Sequence, residues 1–589
     1  MSVIINNIKK SYKATVIFEN ISARINEGDK IGLIGVNGVG KTTLMKILMG
    51  EEEYDSGSIN VFPEHLKIGY LKQLNEFEEN ATVYQKLNSF ALSASTAANN
   101  SGYGKRLKES LIKLGFKEKD MNKRVSKLSG GEKTKLSLCL VLADNPDILI
   151  LDEPTNHLDV EGIKWLEDFL NSIKKTLIVI SHDRLFLDNT VNKIFVMKFN
   201  EIKEYKGNYS AYKQQNDHNI KSLMNERKKQ QREIKHLENH IETQMRWYHR
   251  AENDKSYRSV SGTSNYRAGN PRYISTIISK RIRIEKIKKN MKDIPKEDMS
   301  ANFNLINKRT NLNSELPKYL IKVNRLKKSY GSKVIFNDAA FHVKNGDKVA
   351  LMGRNGSGKT TLFKILLGLE KADSGSVYLN PSLKTGYFSQ ELENLNLKNT
   401  ILQELVQSGI DKLEARKILG RFLFNGEEVF KIIENLSMGE KCRVAIAKLI
   451  MSEINMLILD EPTNHLDIVS KENIEDTLKE YSGTIVFVSH DRYFIDTVAT
   501  RILEIENQSI KAYEGRYKYY LSKKEEDKKR EQLGKNYLSI KDEIIRLECE
   551  MAFLSGKLRK KQGEEESDSE IVNRFFSTAE KLNEYRSMI

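Results

Sequence analysis

The chain has 589 residues, of which 39% are hydrophobic and 30% charged, and its net charge is +16. That length predicts about three or four domains, and the charge excess favours a polyanionic partner, either a nucleic acid or an anionic membrane surface. No apolar run approaches the ~20 residues of a membrane helix, the N-terminus MSVIINNIKK is not a signal peptide, and the three cysteines (Cys139, Cys442 and Cys549) form no metal or redox spacing. These features exclude a membrane-spanning chain and a disulfide scaffold, and they fit a reducing cytoplasm.

Taken in order, the chain repeats itself. KSYKATVIFENISARINEGDKIGLIGVNGVGKTTL at 10–44 returns as KSYGSKVIFNDAAFHVKNGDKVALMGRNGSGKTTL at 328–362. LILDEPTNHLD at 149–159 returns unchanged at 457–467, and VISHDRLFLD at 179–188 returns as VSHDRYFID at 488–496. The expected organisation is one α/β domain at 1–212, a linker at 213–318, a second α/β domain at 319–522 and an extension at 523–589. Within each copy, runs such as ILILD, TLIVIS and TIVFVS read as buried parallel strands between helical stretches, which predicts a nucleotide-binding core.

Both copies carry a P-loop pattern. In the first, Gly35, Asn37, Gly38, Gly40, Lys41, Thr42 and Thr43 are candidate phosphate-binding residues. In the second they are Gly353, Asn355, Gly356, Gly358, Lys359, Thr360 and Thr361. The glycines let backbone N–H groups close around the β- and γ-phosphates, and the following helix adds its positive end. Lys41 and Lys359 neutralise phosphate charge, while Thr42 and Thr360 offer a hydroxyl to Mg²⁺. Asp152 and Asp460 end apolar strands, where each carboxylate can sit beside that metal. Glu153 and Glu461 follow, and can polarise an attacking water; the competing reading is a surface ion pair.

The linker has a different pattern. Ile234, Leu237, Ile241, Met245 and Tyr248 recur at helical steps, as do Ile277, Ile284, Ile287, Met291 and Ile294, which predicts the seam of an antiparallel helical hairpin. The linker holds 24 Lys or Arg against 12 Asp or Glu, a net +12, so most of the chain's net +16 lies there. Its tip, about 250–276, is basic, broken by Gly262, Gly269 and Pro271, and studded with Tyr257, Tyr266 and Tyr273. Cations interleaved with flat rings suit a phosphate backbone and unstacked bases; composition alone equally allows a solvated tip. The extension at 523–589 begins with a coiled stretch, and Phe575, Phe576, Leu582 and Tyr585 lie on a short amphipathic segment. Either a helical hairpin that docks on RNA or a solvated extension fits it.

Further motifs give the chain a resemblance to the ATP-binding cassette superfamily. LSGGE at Leu128–Glu132 and LSMGE at Leu436–Glu440 match its signature, Gln73 and Gln390 its glutamine loop, and His182 and His490 its switch histidine. Tyr12 and Tyr330 match the aromatic that stacks on adenine, although a tyrosine before a strand is more often packing. The resemblance implies two cassettes closed head-to-tail on two ATP molecules, with Gln73 and Gln390 reaching the metal. Lys41 then faces Ser437 and Gly439, and Lys359 faces Ser129, Gly130 and Gly131. Met438 departs from the signature glycine and can crowd the Lys41 site.

Two fused cassettes with a long helical linker and EPTNHLD after each strand look like the ABC-F family, over about 1–522. That family implies an ATPase that binds the 70S ribosome at its E site as a monomer in the cytoplasm. Its linker reaches rRNA and P-site tRNA near the peptidyl-transferase centre, and hydrolysis drives release. A long basic tip and a first cassette without a sizeable arm look more like the members that protect ribosomes from pleuromutilins, lincosamides and streptogramin A. The alternatives are a housekeeping translation factor, a transporter's ATPase subunit or a DNA-structure ATPase.

Overall fold

The computed structural model describes residues 1–13, 15–63, 65–72, 81–95, 103–156, 158–253, 271–291, 316–389, 395–452, 454–464, 466–560 and 568–587. Each repeat copy builds the same pair of sheets. The first copy's six-stranded sheet runs, in spatial order, Ile68–Leu71, Ile148–Asp152, Thr176–Ile180, Lys30–Ile34, Lys193–Lys198 and Glu201–Lys206. The first five are parallel and the last is antiparallel. The second copy repeats this order with Thr385–Phe388, Met456–Asp460, Thr484–Val488, Lys348–Gly353, Arg501–Glu506 and Ser509–Tyr513. A three-stranded antiparallel sheet accompanies each: Thr15–Asn26, Ser2–Tyr12 and Ser56–Phe62 in one, and Lys333–Lys344, Tyr319–Tyr330 and Ser374–Leu379 in the other.

The apolar runs form strands because both of their faces are covered. Ile148, Ile150, Ile178 and Ile180 point into one core with the three-stranded sheet and the helix Lys41–Leu48. Leu149, Leu151, Leu177 and Val179 point the other way, onto Leu166, Leu170, Phe186 and Leu187 of the helices Val160–Ser172 and Arg184–Thr190. Each strand therefore has no polar side to show water, and each fully buried aliphatic contributes about 1.5–3 kcal/mol. In the first cassette a separate core, around Leu87, Leu111, Val125 and Leu136, packs the helix Gly130–Ala143 against a small helical lobe.

The linker enters as one helix, Tyr209–Asn253, of 45 residues, about 68 Å at the usual rise. The helix Pro271–Lys289 returns beside it. Ile234, Ile241 and Ile284 are buried in the seam, with Leu237, Ile277, Ile287 and Met291 packed around them. Arg283–Glu233 at 2.6 Å and Lys288–Glu238 at 3.5 Å cross the seam on its wet flank. Met245 does not join it and stays 38% exposed. Its neighbour Gln244 faces the partner helix instead and accepts a hydrogen bond from Lys280 at 3.2 Å. Ile294 and the tip residues 254–270 lie outside the described residues, as does the side chain of Tyr248. The C-terminal extension is two helices, Tyr517–Lys560 and Asp568–Ser587, packed together through Leu547, Leu554 and Leu582.

The three buried isoleucines are few for so long a hairpin. Ile241→Asp places a charge in the seam and is expected to accelerate amide hydrogen exchange across 230–289 while exchange in both cassettes stays unchanged. Exchange at the parental rate in the linker would show that the seam does not hold the hairpin together.

Two nucleotide sites between the cassettes

Each P-loop is a tight backbone cradle. Gly38 and Gly40 have φ of 81° and 100°, and Gly356 and Gly358 have 76° and 108°, a region that side-chain-bearing residues rarely enter. A Cβ added at Gly40 would lie 2.6 Å from the Phe18 ring. Lys41 Nζ donates to the carbonyls of Gly35 at 2.8 Å and Val36 at 3.1 Å, so its charge is held within the loop. Lys359 repeats this with Gly353 at 2.8 Å and Arg354 at 3.3 Å. Burial lowers the pKa of both lysines. The Thr42 hydroxyl donates to Asp152 Oδ2 at 3.1 Å, and the Tyr70 hydroxyl donates to the same oxygen at 3.0 Å.

The strand ends are strained where the chemistry is expected. Glu153 and Glu461 take φ of 49° and 50°, which costs a non-glycine residue on the order of 1–3 kcal/mol. The neighbouring strand holds them there, because Glu153 N donates to Ile180 O at 2.8 Å and Glu461 N to Val488 O at 3.0 Å. The turn aims each carboxylate at a histidine: Glu153 Oε1 to His182 Nε2 and Glu461 Oε1 to His490 Nε2 are both 3.4 Å. Both Oε1 atoms are buried and accept no hydrogen bond among the described residues. Burial pushes each carboxyl up to about 7. Burial also holds His182 down to about 3 and His490 to about 4, so both imidazoles are neutral near pH 7. A carboxyl poised near neutrality beside a neutral imidazole can accept a proton from water.

The two sites open into one cavity of about 1040 Å³. From the first cassette, Asn37, Gly38, Gly40, Lys41, Thr42, Thr43, Gly130, Asp152, Glu153 and His182 line it. From the second, Tyr330, Asn355, Gly356, Gly358, Lys359, Thr360, Thr361, Ser437, Met438, Gly439, Asp460, Glu461 and His490 line it. Gly35, Gly353, Ser129, Gly131 and Tyr12 are not on its wall. Ser129 instead caps its helix, accepting from Glu132 N at 3.3 Å and donating to Glu132 Oε2 at 3.0 Å. The Tyr12 phenol donates to the Glu52 carboxylate and its side chain is half exposed. Gln73 and Gln390 lie outside the described residues.

What joins the cassettes is a set of contacts that motif matching misses. Asn37 N, in the first P-loop, donates to Asp467 Oδ2 of the second cassette at 3.2 Å. Arg184 Nη1 donates to Glu475 Oε2 at 3.0 Å, and Arg492 Nη1 to Glu167 Oε2 at 3.3 Å. All four side chains are buried, and Arg184 also stacks on the Tyr493 ring of the second cassette, 4.0 Å from its centroid. Ile468 enters the first cassette's core, and Val160 packs on the second's. The repeat marks these residues without saying which of them meet. An arginine stands two places after each switch histidine, and a glutamate eight places after each LILDEPTNHLD. The two halves are not identical. Arg354 pairs with Glu161 at 2.6 Å, whereas the matching positions are the exposed Val36 and Val469. The linker is tied in as well: Tyr209 and Lys213, at its root, donate to Glu472 of the opposite cassette at 3.1 Å and 2.9 Å.

Glycine cradles at helix N-termini, a threonine hydroxyl beside a buried aspartate, and unpartnered glutamate oxygens fit two nucleotides with Mg²⁺. Such a pair of sites, facing each other across two P-loop domains, defines a twin ATP-binding cassette. A family profile described as "ABC transporter" matches residues 18–156 and 336–464, and a second of the same description matches 195–259. The chain is 35% identical over 568 residues to "Putative ATP-binding protein YdiF" of Bacillus subtilis (strain 168), covering 90% of this chain and 84% of that protein. It is 33% identical to "Ribosome protection protein VmlR" of the same strain, covering 86% and 87%. It is 30% identical to "Energy-dependent translational throttle protein EttA" of Escherichia coli (strain K12), covering 87% and 93%. The solved structure of "RNase-L Inhibitor" superposes with a TM-score of 0.55 at 19% identity, over 86% of this chain and 89% of that one, and shows the shared fold. The chain belongs to the ABC-F family, whose cassettes are ATPases. Despite the profile's description, no helix among the described residues is long and apolar enough to cross a membrane.

Removing one member of a buried ion pair strands the other charge, at about 3–5 kcal/mol. Arg184→Ala is therefore expected to weaken ATP-driven closure by at least an order of magnitude, read as energy transfer between dyes on the two cassettes. The swap of Arg184→Glu with Glu475→Arg should recover part of it. Closure at the parental ATP concentration in Arg184→Ala would remove the ion pair from the interface energetics.

Proposed function

We propose that this chain acts on the ribosome in the cytoplasm, as a monomer, and protects it from antibiotics that bind the large subunit. The observation that carries the reading is the joint between the cassettes and the linker. The root of a 45-residue helix hydrogen-bonds to Glu472 of the opposite cassette, so cassette closure and linker pose are mechanically one event. Relatives named for ribosome protection and translational throttling support a ribosomal target. The +12 linker, with its basic aromatic tip, supports contact with rRNA and P-site tRNA.

In this reading the P-loop backbones, Lys41 and Lys359 hold the phosphates of two ATP molecules, and the facing Gly130 and Ser437–Gly439 close over them. Mg²⁺, held by Thr42 and Asp152 or by Thr360 and Asp460, neutralises charge on the β- and γ-phosphates when bound. Glu153 and Glu461 each take a proton from the attacking water, and His182 and His490 keep the carboxylates in line. Closure needs only intact ATP, so the bound state persists until hydrolysis opens the pair. Drug binding and closed-state binding then oppose each other, and that coupling is reciprocal.

Glu153→Gln with Glu461→Gln keeps the shape and removes both bases. The double variant is expected to accumulate on 70S ribosomes in ATP and to arrest growth when expressed, measured by co-sedimentation. Dissociation in ATP as fast as the parent's would contradict hydrolysis-driven release.

Replacing residues 256–273 with a short Gly/Ser loop should leave basal ATPase within about twofold, since the replaced segment follows a helix of 45 residues rooted at the cassettes. Ribosome binding should fall only in part and drug protection should vanish, read as inhibitory concentrations in a drug-sensitive bacterium. A second reading, a translation factor without drug specificity, draws on the 30% identity to the throttle protein. Full protection by the loop-replaced chain would reduce the tip to a spacer, and an absence of protection by the parent would favour that second reading.

A further inference from the structure

The interface holds a buried lysine that the repeat does not duplicate. Lys471 lies in the first turn of the helix Ile468–Glu480 and is only 8% exposed. Its Nζ donates to Asp491 Oδ2 of its own cassette at 3.0 Å and to the backbone carbonyl of His182 in the other cassette at 3.1 Å. The matching residue in the first copy is Ile163, which is buried and has no donor to offer the His490 loop. A buried ammonium must be paired, and this one is paired by a carboxylate and a carbonyl from two different loops. Asp491 is also the N-cap of the helix Arg492–Val498, accepting from Tyr493 N and Phe494 N at 3.0 Å each. Lys471 therefore grips both switch-histidine loops at once, one by its carboxylate and one by its carbonyl. The bond to His182 crosses the interface and exists only when the cassettes are together.

We propose that Lys471 is a positioning residue for hydrolysis at the Lys41 site, seating the His182 loop against Glu153 only in the closed pair. The His490 loop receives from Lys471 only the bond to Asp491, which lies within one cassette, so at the Lys359 site this lysine makes no check on closure. Lys471 thereby makes one of the two hydrolysis events report on closure. The inference rests on the assignment of Glu153 and Glu461 to the water step.

The test is single-turnover ATP hydrolysis by the full chain in two backgrounds. Glu461→Gln leaves the Lys41 site as the active one, and Glu153→Gln leaves the Lys359 site. Adding Lys471→Met to the first should lower the rate about tenfold or more, the scale of a misplaced reacting group. The half-saturating ATP concentration should stay within about twofold, because phosphate binding is untouched. Adding it to the second removes only the bond to Asp491 within one cassette and should cost clearly less, about threefold at most, which also shows that the variant folds and closes. Lys471→Arg should recover part of the first loss. Equal losses in both backgrounds would make Lys471 mere interface glue and overturn the proposal, as would no loss in the first. Parental hydrolysis by Glu153→Gln with Glu461→Gln would instead overturn the glutamate assignment beneath it.

Discussion

Buried charge at the cassette interface governs this structure. Arg184 and Arg492 are 1% and 7% exposed, and each reaches across to a glutamate of the other cassette. An arginine in such a place is tolerable only while its partner is present, so the interface is stable closed and costly when half open. A hydrophobic seam of the same size would tolerate sliding. Paired buried charges enforce one register, and that register sets the first P-loop beside Asp467.

The geometry around Glu153 and Glu461 is set within each cassette. A glutamate in left-handed backbone at a strand end is a local cost, met by the neighbouring strand through Ile180 and Val488. The cost aims two carboxylate oxygens into a shared cavity and leaves them without hydrogen bonds among the described residues. Local strain and unsatisfied polar atoms are what a site retains for a ligand that will satisfy them. The same cavity shows how far the halves have diverged. Arg354–Glu161 in one half faces Val36 and Val469 in the other, and Lys471 stands where the first copy has Ile163. Two sites built from one repeat thus have different electrostatics.

The linker is stiff by geometry and weakly held by packing. Its long helix is continuous, yet among the described residues three side chains in the seam are buried. Its root is tied to the second cassette, where Tyr209 and Lys213 meet Glu472 on the same helical turn that carries Lys471. One turn of one helix thus touches both the His182 loop and the root of the linker.

Much of this was legible in the residues. The duplicated P-loops and strand-ending Asp-Glu pairs follow from period and spacing, because phosphate binding demands a glycine loop at a helix start wherever it occurs. The parallel sheets follow from runs such as ILILD, since only a strand covered on both faces can be apolar at every position. The hairpin seam follows from heptad-like spacing, with Met245 as the exception among the described residues, because a step of one residue, about 100° around the helix, decides whether it or Gln244 faces the partner. The tertiary structure alone decided which residues meet across the cassettes. Arg184 and Glu475, 291 residues apart, carry no local pattern that names the other. Tyr70 on Asp152, Asp467 on the first P-loop and Lys471 on the His182 carbonyl are likewise contacts between distant segments. Sequence records periodicity and local chemistry, whereas pairing at a distance depends on how two finished domains fit, and that fit is settled by burial and charge together.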